Sequence, residues 1–161
     1  MKKQSDIKNY IKSVCFSSND INVVRSEPNY RRAWIDKVVS QLEPVYFELL
    51  TRFNKLLKQR SHFWRSDIQN HYESKSLLDS FDSQMALVGT RILRRRVRAL
   101  ERLRPFIEYW HNYLSKEEEN IGLNYLSDIN ISNNYEERQI IDLFMEKLLE
   151  QRKLEELTGK C

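Results

Sequence analysis

The stretch FDSQMALVGTRILRRRVRALERLR, Phe81–Arg104, decides how the rest of the chain is read. Leu and Arg, both strong helix formers, dominate it, and no proline intervenes before Pro105. Wound as an α-helix at about 100° per residue, Arg91, Arg94, Arg95, Arg98 and Arg102 fall in one stripe about 100° wide. Met85, Val88, Ile92, Leu93, Val97, Ala99, Leu100 and Leu103 fill the opposite arc. The segment reads as an amphipathic helix with a cationic edge. Arg96 breaks the pattern, because it lands in the middle of the apolar arc. A buried guanidinium is costly unless its donors meet a carboxylate or carbonyls. Glu101 points elsewhere, so the expected partner is an acid or backbone carbonyls from another helix or another chain. The alternative is that Arg96 snorkels to the edge of the face.

Composition extends that reading to the whole chain. Its 161 residues suit one domain, or one with a small appendage. With 40% apolar and 31% charged residues it is too charged for a membrane protein and too apolar for a disordered one. Three Gly and three Pro are too few for the many turns of a sandwich or barrel, so the fold class is all-α, a bundle of long amphipathic helices. Cys15 and Cys161 lie near opposite ends and form neither a disulfide framework nor a zinc-ligand pair. No apolar run approaches the roughly 18 residues that span a bilayer, and the start MKKQSDIKNY lacks the apolar core of a signal peptide. The expectation is a soluble, cytoplasmic protein (nucleoid-associated, or nuclear in a eukaryote) without membrane contact.

Outward from the central helix, several boundaries are legible. An opening helix is expected over Asp6 to about Cys15, capped by Ser5, and 16–29 reads as a connector. Pro28 suits the first turn of a helix, and Pro44 breaks or kinks the pattern that runs on to about Arg60. Residues 61–66 read as a short loop, 70–83 as a weaker helix, and Pro105 as a kink or stop before an aromatic helix, Phe106–Leu114. Ser115 and Glu118 have the spacing of a capping box for a helix to about Leu126. These elements divide into a helical domain 1–126, a linker 127–134 and a C-terminal amphipathic helix 135–161.

Catalytic signatures are missing from the pattern. His62, His71 and His111 fit no zinc-protease spacing, and no phosphate-binding, dinucleotide-binding or nucleophile-elbow glycine motif occurs. The acids Glu117, Glu118 and Glu119 suit a first helical turn through the macrodipole alone. Tyr109, Trp110 and Tyr113 have the spacing of a packing face in a core or interface. No catalytic residue, metal or cofactor is expected, and the reading is of a non-enzyme.

The net charge of +4 is modest, but seven arginines lie between Arg91 and Arg104 against one acid, Glu101. The stripe Arg91, Arg94, Arg95, Arg98, Arg102 is therefore the candidate interface, and Arg96 the candidate buried structural arginine. Its three readings are contact with a partner's acids, contact with nucleic-acid phosphates, and a solvated face. The residues Leu93, Arg94, Arg96, Val97, Leu100, Glu101, Arg102 and Pro105, with Leu114-Ser115-Lys116-Glu117-Glu118 beyond them, resemble the signature helix of Sld/Psf-type GINS subunits. That resemblance implies a scaffold subunit of an archaeal-like replication complex. Its implied partners are a second GINS protein in a heterotetramer, the MCM helicase, a RecJ-like factor, and primase or polymerase, with indirect or weak DNA contact. The small β-rich domain usual in that family has no counterpart, since 127–161 reads as helix. The competing reading is a stand-alone helical nucleic-acid-binding protein using the Arg91–Arg102 face.

Overall fold

The computed structural model describes residues 13–65, 74–116, 118–129 and 135–158. Two short turns, Ser18–Ile21 and Asn22–Arg25, precede four long helices: α1 (Pro28–Leu42), α2 (Pro44–Arg65), α3 (Ser74–Ser115) and α4 (Glu137–Thr158). The fold is all-α, with no strand among the described residues. No helix among them is long and apolar enough to cross a membrane.

Prolines set one break as expected. Pro28 occupies the first turn of α1, where its missing N–H has no partner to lose. Glu43, just before Pro44, is extended (φ −127°, ψ 100°), as steric pressure from the following ring demands, and α2 begins at Pro44.

Elsewhere the local signals mislead. The expected loop 61–66 is helix as far as Arg65. Phe63 and Trp64 follow Leu56 and Arg60 on one face and are buried, so core packing outweighs the polar Ser61 and His62. Pro105 neither ends nor divides α3, which runs unbroken to Ser115. Proline leaves the carbonyl of residue i−4 without its bond, but Glu101 and Pro105 are both exposed, so water can reach that group. The helix expected over 115–126 does not form. Lys116 adopts φ 53°, the left-handed conformation that closes a helix C-terminus, and 118–127 is irregular. Residues 13–15, the end of the expected opening helix, are not helical, and 1–12 lie outside the described residues.

The chain divides into two compact units. The first comprises 1–47 and 95–124, with Ile35, Val39, Tyr46, Ala99 and Leu100 buried. The second comprises 48–94 and 125–161, with Leu56, Met85, Ala86, Val88, Ile140 and Leu148 among its buried residues. Gly89 of α3 admits Phe144 of α4 and Phe53 of α2 so closely that a Cβ there would lie 2.5 Å from Phe144 Cζ. The Phe53 and Phe144 rings meet edge to face, centroids 6.4 Å apart.

Candidate functional site

The first unit contains the anomalous arginine. Arg96 is 15% exposed and donates from Nε to Asp36 Oδ1 (2.7 Å) and from Nη2 to Asp36 Oδ2 (2.8 Å), a two-pronged pair with α1. Its Nε also reaches the Tyr46 hydroxyl at 3.1 Å, and that hydroxyl donates to Asp36. Burial, then the bond to the Asp36 carboxylate, push the Tyr46 phenol well above its ordinary range, against the opposing pull of Arg96. These groups tie α3 to α1 and to the first turn of α2.

The arginine stripe separates into two groups. Arg91 and Arg94 approach Glu137 at 3.4 and 2.8 Å, about half exposed, and Arg95 meets Glu43 at 2.8 Å. Acids far along the sequence thus supply counter-charges that Glu101 alone could not. Arg98 and Arg102 are exposed, and neither has an ion-pair or hydrogen-bond partner among the described residues.

The second unit holds a buried network absent from the expected site residues. Asp82, fully buried, accepts from Arg152 Nε (2.8 Å) and Nη2 (2.7 Å) through Oδ2. Its Oδ1 lies 2.7 Å from Arg60 Nε, close enough for an ion pair although not aligned as a hydrogen bond. Arg60 Nη1 donates to Glu155 Oε1 at 2.5 Å, Trp64 Nε1 to Glu155 Oε2 at 3.1 Å, and Arg152 Nη2 to Asp79 Oδ1 at 2.6 Å. Burial works against the charged form of Arg152, but its bonds to Asp79 and Asp82 outweigh that and raise its pKa. A signal was available. Arg60 sits between Leu56 and Phe63/Trp64, Asp82 between Leu78 and Met85/Ala86, and Glu155 seven residues after Leu148, so each charge occupies a core position.

Neither network resembles catalytic machinery. Every carboxylate named in them already faces a guanidinium, and no nucleophile–base pair is found in them among the described residues. An open cleft of about 380 Å³ in the second unit is lined by Lys55, Lys58, Gln59, His62, Phe63, Leu77 and Phe81, with no acid or thiol among these described residues. Among the described residues no three His, Cys, Asp or Glu side chains could hold a metal together. His71 and Cys161 lie outside those residues. Of the two places expected for the aromatics, a core or an interface, the core does not hold them: Phe106, Tyr109, Trp110 and Tyr113 are 57–69% accessible in this chain.

No protein-family profile matches the chain. It is 43% identical over 159 residues to the DNA replication and repair protein RecF of Synechococcus sp. strain CC9605, and 44% identical over 160 to that of Parasynechococcus marenigrum strain WH8102. Each alignment covers 99% of this chain and 44% of the relative. A solved structure of the recombination mediator protein RecF with ATP, in the RecFOR pathway, superposes with a TM-score of 0.89 at 25% identity, over all of this chain and 42% of that one.

These findings overturn the GINS resemblance, and with it the heterotetramer, the MCM, RecJ-like, primase and polymerase partners, and the archaeal setting. The physical reason is visible at Arg96. A leucine–arginine helix with one inward arginine bonded to an acid suits many helical proteins, so the motif carried little information about family. A stand-alone DNA-binding protein built on the Arg91–Arg102 face is not supported either, because three of its five arginines are engaged by the chain's own acids. The chain spans less than half the length of the RecF proteins to which it is similar, and nearly all of its own length takes part in that similarity.

Proposed function

We propose that the chain is the helical portion of a RecF-like DNA replication and repair protein, and that its part there is non-catalytic. The observation that carries this reading is the 43% identity to RecF sustained over 99% of the chain. Supporting it, an all-helical body stiffened by two arginine–carboxylate networks has the character of a framework rather than a reaction centre. The ATP of the solved RecF relative belongs, on this reading, to the remaining part of such a protein, because the glycine-rich phosphate motifs are missing from this sequence. On this reading the chain acts in the bacterial cytoplasm, in recombination-mediated repair; the names of the RecF relatives and of the solved recombination mediator support it.

The test is a chimera. The 161 residues replace the aligned segment of Synechococcus RecF, and the product is expressed in cells lacking that protein. The expected outcome is restored survival after ultraviolet damage, with ATP bound by the chimera and not by the isolated chain. A chimera that accumulates in folded form and binds ATP but leaves the cells as sensitive as the null strain would overturn the reading.

A further inference from the structure

The edge of α3 that carries the arginines continues past Pro105 as an edge of aromatics. On the helical wheel Arg98, Arg102, Phe106, Tyr109 and Tyr113 share an arc of about 80°, with Trp110 at its margin. All six belong to the first unit and all six are exposed. Single exposed apolar residues are ordinary, but four aromatics aligned on one helix edge are not. The rings are also ordered among themselves. Tyr109 and Trp110 meet edge to face at 5.4 Å, and Trp110 and Tyr113 at 5.8 Å.

Charge and ring geometry indicate what fits there. Arg91, Arg94 and Arg95 are engaged by Glu137 and Glu43, whereas Arg98 and Arg102, one turn apart, have no acid among the described residues. Trp, Tyr and Arg are the residues in which binding energy concentrates at protein interfaces. Successive rings stand nearly perpendicular (79° and 88°), so they do not offer the parallel faces on which consecutive bases stack. Two unpaired cations are also sparse for a phosphate backbone. We propose that the Arg98–Tyr113 edge is a docking surface for an acidic amphipathic helix of another protein. Its length, about 22 Å at the helical rise, matches about four turns of such a helix. Two carboxylates one turn apart in the partner meet Arg98 and Arg102, and its following apolar residues, at three- and four-residue spacing, seat against Phe106, Tyr109, Trp110 and Tyr113.

The proposal is independent of the RecF-like reading and is tested on the 161-residue chain itself. The probe is a fluorescent helical peptide of about eighteen residues with two glutamates four apart, followed by leucines on the same face. Anisotropy is expected to show saturable binding in the micromolar range. Trp110→Ala, and separately Arg98→Glu with Arg102→Glu, are expected to weaken it at least about tenfold, a loss of about 1.4 kcal/mol. A peptide with lysines in place of the two glutamates is expected to bind the charge-reversed variant and not the parent chain. These side chains are exposed, so circular dichroism of the variants should match the parent. No binding, binding indifferent to the charge reversal, or no recovery with the lysine peptide would overturn the proposal. So would tighter binding of a single-stranded oligothymidine, or self-association of the chain abolished by Trp110→Ala.

Discussion

At Gly89 two opposing effects can be weighed. Alanine there gains about 1 kcal/mol in helix propensity, which favours substitution in an exposed helix. Here the added methyl would lie 2.5 Å from Phe144 Cζ with Phe53 Cε2 at 3.2 Å, so neither ring can move away without disturbing the other. Overpacking of this kind costs about 1–3 kcal/mol, and Gly89→Ala is expected to lower the urea midpoint. Adding Phe144→Leu to Gly89→Ala should recover part of that loss; an unchanged or raised midpoint in the single variant would refute the steric account. Tyr46 provides a second test at this scale, through pH. Its phenol, held by burial and by Asp36, has a folded pKa above the ordinary value of about 10, so the neutral form is favoured in the fold. That contribution is fully present below about pH 10 and is lost as pH rises through the unfolded value toward the folded one. Stability is expected to fall more steeply above pH 10 in the parent chain than in Tyr46→Phe, which has no phenol proton to lose. Urea unfolding of both proteins at pH 8, 10 and 11 measures the difference, and parallel curves would show that Tyr46 is not the group responsible.

Whole helices were legible wherever a long-range apolar period ran through the sequence. The 3.6-residue pattern of Phe81–Arg104 is the middle of α3, and the apolar face after 135 is α4, because periodicity sums over many residues. Ends and interruptions were less legible. Ser61 and His62 look like loop residues, yet they are carried in helix by the burial of Phe63 and Trp64. Ser115 and Glu118 look like the start of a helix, yet they mark the end of α3, since Lys116 turns left-handed and the Glu118 N–H bonds back to Ser115 at 3.1 Å. The candidate site was legible as an arginine edge, but its division into engaged and unengaged arginines depends on Glu43 and Glu137, which only tertiary contact brings near. The Arg60–Asp82–Glu155 network was missed for a related reason. Its charges sit at core positions on three helices far apart in sequence, which only tertiary contact brings together. Lys116 also yields a prediction at this scale. A non-glycine residue in the left-handed conformation costs roughly 1 kcal/mol, so Lys116→Gly is expected to raise stability by about that amount by sharpening the end of α3. A thermal midpoint unchanged or lowered would mean that the left-handed turn is not the terminator of the helix in solution.

Among the described residues, charge is built into the interior twice. Asp36, Arg96 and Tyr46 belong to the first unit, and Arg60, Asp82, Arg152 and Glu155 to the second. Removal of Asp36 takes from Arg96 its two-pronged partner, and removal of Asp82 leaves Arg60 with Glu155 and Arg152 with Asp79, one carboxylate each where there were two; breaking a buried pair costs about 3–5 kcal/mol. The larger loss is expected for Asp82→Ala, because Asp82 is wholly buried between two arginines, whereas Asp36 and Arg96 keep some solvent contact that softens the effect. Such losses are large against the 5–15 kcal/mol that holds a typical domain folded. Because each network lies within one unit, the first sign of damage should be local. Hydrogen exchange under native conditions is expected to quicken in Asp36→Ala over α1 and 95–103, and in Asp82→Ala over 56–64, 78–93 and 140–155. Mass spectrometry of peptides from those segments separates the two patterns. If either variant instead quickened exchange evenly in all of them, the chain would be opening as one cooperative body, and the networks would have to be counted as parts of a single store of stability.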